Sequence, residues 1–114
     1  MQFMVTIYSN EAALAAIEGT GKEEFEQAHK SVIAELRASG ELVDSNELSD
    51  IDARVVRTAG GQLAVIDGPF SESKEWVGGY YLLDCDSMDR AIEIASRFTE
   101  AQYAPVEVRR VGSD

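Results

Sequence analysis

His29 is the only histidine in the chain, and its position singles it out. It falls on an apolar stripe, Phe25, His29, Val32, Ile33 and Leu36, whose spacing places all five on one face of a helix. An imidazole there has two ring nitrogens to satisfy and titrates near neutrality. It is either a core histidine held by a carbonyl or carboxylate, or an acid/base group at a pocket floor. Asp67 closes the strand "LAVID" and opens the turn "DGPF". Its parity matches Leu63 and Val65, so it points to the same face as those apolar residues. Its carboxylate serves either to accept amide hydrogen bonds from its own turn or to orient His29 or a substrate, and the two roles are compatible. Trp76, between the charged loop "SESKE" and Gly78-Gly79, offers an apolar wall to a pocket or packing at a dimer interface. Tyr80, Tyr81 and Glu75 complete the set of substrate-binding candidates. Glu72, Lys74 and Glu75 form a charge cluster that reads as solvated surface, where Lys74 can pair with either glutamate for little gain.

Several chemistries are disfavoured. One histidine cannot build a His-rich zinc site, and one cysteine, Cys85, forms no intrachain disulfide and no thiolate-rich metal site. Asp84 and Asp86 flank Cys85 and oppose its ionisation, so it reads as a strand-end residue rather than a nucleophile. "DSNE" lacks the glycine and closing glutamate of a calcium loop. No nucleophile-elbow, metalloprotease or phosphate-loop motif occurs. With 21 acidic against 10 basic residues and a formal net charge of −11, the chain repels nucleic-acid backbones and anionic membranes. Arg109-Arg110 is its only adjacent basic pair. The N-terminus has no basic leader and no run approaches a membrane span, so the expected location is cytoplasmic.

The elements that must position these residues follow from periodicity. The chain, at 114 residues and 45% hydrophobic, reads as one domain with one core. "FMVTIY" (3–8) is the first strand, apolar on both faces and so expected inside a sheet covered on both sides. A short helix follows over 11–17 and breaks at "GTG". The main helix opens with Thr20 and Glu23 as a capping box and ends at Gly40 in a left-handed C′ position. "ELVDSNELSD" (41–50) reads as an acidic, solvated connector. "ARVVRT" and "QLAVID" form a hairpin across Gly60-Gly61, with strands over 53–58 and 62–66. A further strand runs over 77–84, where the glycine pair predicts a bulge or a close backbone approach. A second helix is capped by Asp86 or Ser87, with Ala91, Ile92, Ala95 and Phe98 as its buried stripe. The last strand spans 106–111.

The order β-α-β-β-β-α-β on so short a chain predicts an α+β fold, a ferredoxin-like antiparallel sheet with two main helices on one face. Its other face carries apolar residues that need a cover. A second copy of the chain supplies it, as a two-fold homodimer packed through the sheets.

"DGPFSESKEWVGGYYLLD", with "VEVR" near the end of the chain, resembles the YCII-related family and its DGPF-domain branch. The pattern "DGPF.E.KE..GGYYL.D" is long and specific, and the likeness extends to "FMVTIY", to the first helix with its single histidine and to "DSMDRAIEIASRF". The resemblance implies a ferredoxin-like fold that dimerises into an α/β barrel, and a cleft in which a helix histidine and an aspartate act as an acid/base pair. Here these are His29 and Asp67. It also implies an association with extracytoplasmic-function sigma factors. Two departures stand out: Phe98-Thr99 replace a proline usual after the second helix, and Arg110 stands where the branch has proline. Both bear on the shape of the last loop.

The expected function is a cofactor-independent enzyme on a small organic molecule, with His29 moving a proton, Asp67 orienting it, and Trp76 and the tyrosines walling the pocket. The alternative is a non-enzymatic ligand-binding or regulatory module that works with a sigma factor. A metal-dependent enzyme ranks below both.

Overall fold

The computed structural model describes residues 1–71 and 74–112. The elements are β1 (Gln2–Ser9), α1 (Glu11–Glu18), α2 (Lys22–Ser39), β2 (Leu42–Glu47), β3 (Arg54–Ala59), β4 (Gln62–Asp67), β5 (Trp76–Asp84), α3 (Met88–Ala95), a 3₁₀ turn (Thr99–Gln102) and β6 (Val106–Arg110). Four strands form one sheet in the order β2-β5-β1-β6 with every pair antiparallel, and among the described residues β3 and β4 pair only with each other. β1 and β2, joined through the helices, run parallel with β5 between them. That split βαβ arrangement is the ferredoxin-like topology expected from the sequence.

Alternation on the central strands builds the core. Phe3, Val5 and Ile7 of β1 and Tyr81 and Leu83 of β5 are buried on one face, against Val32 and Leu36 of α2 and Ala91, Ile94 and Ala95 of α3. Arg90 clamps this layer at one end. Its guanidinium donates to both oxygens of Glu41, at 2.9 and 2.8 Å, and holds that carboxyl down to about 2.

Four expectations need correction. The acidic stretch read as a loop contains β2, an edge strand. Its polar side chains hide it, and backbone pairing with β5 makes it a strand. The helix over Lys22–Ser39 has Gly21 as its N-cap without a side-chain cap, so Thr20 and Glu23 form no capping box. The turn from α1 sets this start instead, with the Gly21 amide donating to the Ala16 carbonyl at 2.9 Å. In α3 the buried stripe runs through Ala91, Ile94 and Ala95, with Phe98 buried just beyond the helix, while Ile92 is half exposed. Lastly, the hairpin stands apart from the main sheet.

Other local readings agree with the fold. Asn10 caps α1 and Ser87 caps α3, each accepting an amide hydrogen bond three residues on. Gly40 has φ of 81°, and its amide closes α2. Gly60 and Gly61, at φ of 58° and 79°, make the hairpin turn. The glycine pair of β5 does both things expected of it. Ile7 lies opposite Gly79 and Tyr8 opposite Val77, so Gly78 is the extra residue of a bulge. A Cβ on Gly79 would stand 3.1 Å from the Asn46 carbonyl oxygen. Among the described residues no helix is long and apolar enough to cross a membrane.

Candidate active site

His29 sits on the inner face of α2, where the helix passes over β5 and the 3₁₀ turn. Its Nδ1 lies 2.7 Å from the Tyr81 hydroxyl, and its Nε2 lies 2.7 Å from Oε2 of Glu100. An ionised carboxylate only accepts, so Nε2 carries a proton and donates to Glu100. In the neutral ring Nδ1 then accepts from the tyrosine hydroxyl, and the protonated ring donates to both partners. The imidazole stacks on Phe98 at 4.7 Å between centroids and meets Phe25 at 4.6 Å in a tilted contact. Ring position, ring plane and tautomer are therefore all constrained.

The two partners are buried, with Tyr81 2% and Glu100 5% exposed, whereas the His29 side chain keeps 18% of its surface accessible. Oε2 of Glu100 faces His29, and Oε1 has no hydrogen-bond partner among the described residues. Such an arrangement is costly for stability and suits a site where charge must be available. Burial pushes the Tyr81 phenol up to about 12, with the Glu100 charge adding to the shift and the Ser45 hydroxyl bond opposing it. Ser45 is its cross-strand neighbour on β2.

Because folding favours the neutral phenol, this tyrosine's contribution to stability is complete below its ordinary value of 10.0. It should be lost as pH rises through about 12. Phenolate absorbance should therefore show a late ionisation step near pH 12 that Tyr81→Phe removes. A titration that is superimposable in the two proteins would contradict the burial of this hydroxyl.

His29, Tyr81 and Glu100 open onto a cavity of 1020 Å³, bordered by Leu14, Ile17 and Phe25 on the helix side and by Trp76 and Ser45 on the sheet side. Glu47, which ends β2, and Leu48, Ser49 and Asp50, which follow it, form another part of its wall. The volume is ample for a small organic molecule. Among the described residues no three His, Cys, Asp or Glu side chains gather as a metal site.

The structure distributes the residues marked in the sequence unevenly. His29, Tyr81 and Trp76 meet at the cavity. Tyr80 borders it too, but its hydroxyl donates to Asp44 at 2.6 Å and accepts from Asn46 at 2.9 Å. Glu75 accepts from the Asn10 amide at 3.2 Å and does not line the cavity. Glu72 lies outside the described residues. Asp67 is not brought to His29 within one chain. It ends β4, in the separate hairpin, where its side chain is 93% exposed and lies 3.5 Å from Arg54. Its parity is as expected, since Arg54, Val56 and Thr58 oppose Asp67, Val65 and Leu63, but that face is open. The carboxylate at His29 is Glu100, in the turn "TEAQ", which sequence reasoning passed over. No local pattern marks it, because the pairing spans 71 residues and forms only through packing.

A family model described as the YCII-related domain matches residues 1–112. An uncharacterised protein of Rhizobium meliloti (strain 1021) is 32% identical over 108 residues, which cover 89% of this chain and 82% of that protein. Among solved structures, the 5-chloro-2-hydroxyhydroquinone dehydrochlorinase of Burkholderia phenoliruptrix AC1100, in complex with 2,5-dihydroxybenzoquinone, aligns with a TM-score of 0.58. The alignment covers 100% of this chain and 96% of that one at 16% identity, a likeness of fold.

Proposed function

The chain belongs to the YCII-related family, and from that premise we propose that it is a cofactor-independent enzyme that moves a proton on a small organic molecule through His29. The observation that carries this reading is an accessible imidazole fixed at both nitrogens by buried groups and facing a cavity of molecular size. A histidine that only filled the core would need no such opening. In this reading the proton passes between the substrate and Nδ1 of His29 through the Tyr81 hydroxyl, which borders the cavity and takes up one proton as it gives up the other. Glu100 holds the tautomer and balances the imidazolium that forms. Tyr81 returns or accepts a proton at Nδ1, and Trp76 walls the cavity. Glu100 takes the part that the family resemblance gives to Asp67, which in this chain lies exposed on the separate hairpin. Further support comes from the shared fold of a dehydrochlorinase with a hydroxylated quinone bound.

A single histidine makes the test direct, because the imidazole proton signals in the NMR spectrum belong to one residue. Hydroquinone, 2,5-dihydroxybenzoquinone and a panel of small lactones and phenols would be titrated into the protein. At least one should move the His29 signals saturably, and the same compound should be consumed or exchange a carbon-bound proton with solvent. A panel that leaves the imidazole signals unmoved would defeat the proposal.

A further inference from the structure

The cavity at His29 has a sign of charge as well as a volume. Glu18, Glu26, Glu47 and Asp50 border it and are exposed, and Glu100 brings a buried carboxylate beside the imidazole. Against these stand Lys30 and Arg37. Lys30 lies one turn of α2 beyond Glu26, where the two charges offset each other. Arg37 lies two turns beyond His29, about 12 Å along the helix, and also borders a smaller pocket with Asp44. Positive charge is thus either matched or remote, and the excess around the imidazole is negative.

Glu100 weighs most in that excess, because it is buried. Its carboxylate takes a hydrogen bond from Nε2 of His29, and Oε1 has no partner among the described residues. Little water screens such a charge, so its field reaches further than that of an exposed group. An anion entering the cavity would meet this field and the exposed carboxylates together. The apolar walls, Leu14, Ile17, Phe25 and Trp76, suit an uncharged ring instead.

The balance changes once a proton moves. With the imidazole neutral, the Tyr81 hydroxyl donates to Nδ1, and its oxygen is free to take a proton from a molecule in the cavity. A C–H or O–H bond of the substrate breaks, its proton forms the new Tyr81 O–H bond, and the old hydroxyl proton passes to Nδ1. The bonding pair stays on the substrate. A neutral molecule beside a neutral imidazole becomes an anion beside an imidazolium, whose other nitrogen faces Glu100. Charges then alternate along the chain of groups. The site attracts the anion it makes and repels an anion that arrives, so its charge favours the transition state over the ground state.

We infer that the cavity takes an uncharged carbon or oxygen acid, such as a phenol, enol or lactone, and turns away the same skeleton carrying a carboxylate. This deepens the proton-transfer reading proposed above and rests on it.

Matched pairs separate charge from shape: gentisamide with gentisate, and a butenolide carboxamide with the corresponding carboxylate. Each is titrated against the His29 imidazole NMR signals. In at least one pair the amide should bind roughly tenfold more tightly than the carboxylate at low salt, and added salt should narrow the gap. Glu18→Gln/Glu47→Gln/Asp50→Asn, at exposed positions, should keep the circular dichroism spectrum and reduce the gap to about threefold or less. A carboxylate that binds as tightly as its amide overturns the inference while the proton-transfer reading stands. So does a gap that the triple substitution leaves intact. If no member of either pair moves the imidazole signals, the inference and the reading beneath it fall together.

Discussion

His29→Ala is expected to lower turnover by roughly 10²–10⁴-fold on a substrate that the cavity accepts, the usual worth of a positioned proton-transfer group. The effect should fall on kcat, because the imidazole occupies a small part of a 1020 Å³ cavity and gives little ground-state binding. The substitution also strips Glu100 of its partner. Oε1 already has none among the described residues, so a buried carboxylate would be left unpaired, at a cost of about 3–5 kcal/mol if it stays charged. His29→Gln separates the two effects, because an amide can still donate toward Glu100 but cannot take up a proton. It should retain most of the stability and none of the proton-transfer rate. Added imidazole should restore part of the activity of His29→Ala by entering the gap between Tyr81 and Glu100. A folded His29→Gln protein within threefold of wild-type turnover would remove His29 from the mechanism.

Phe98→Ala should produce the largest loss of stability outside the site itself. Phe98 is 2% exposed and packs against both the His29 and Tyr81 rings at 4.7 Å between centroids. Truncating a buried phenylalanine costs about 3–5 kcal/mol, because the surroundings collapse only partly around the void. For a domain of this size that is a fall in Tm of roughly 10–20 °C, readable by calorimetry. The same change frees one face of the imidazole, so the His29 NMR signals should broaden as the ring samples other orientations. Phe98→Leu should recover more than half of the stability. A Tm within a few degrees of wild type for Phe98→Ala would mean that the ring is not the keystone of this cluster.

How much of this could be read from the chain depends on the range of each interaction. The central strands were legible because alternation is local, and the hairpin because Gly60-Gly61 supports a turn on its own. β2 was not, since Asp44, Ser45 and Asn46 have no pattern of their own and become a strand only beside β5. His29 was conspicuous as a polar residue in an apolar stripe. Glu100, 71 residues further along, becomes its partner only through packing of the 3₁₀ turn on α2. For Asp67 the parity was right, and within one chain its carboxylate stands apart from His29. Alternation tells which side chains share a face, but not whether anything covers that face.

The extra residue at Gly78 has an effect beyond its own backbone. From Leu83 back to Gly79 the helix-side positions of β5 are the odd ones, and an uninterrupted ladder would send Val77 inward and Trp76 outward. The bulge inverts this. Val77 lies beside Tyr8 on the open face, and Trp76 lies beside Ser9 at the cavity. One inserted glycine thus acts as a phase shift in the strand, delivering the chain's only indole to the chamber. Deleting Gly78 would exchange the two addresses, leaving the composition of the strand almost intact while replacing an aromatic wall with a valine.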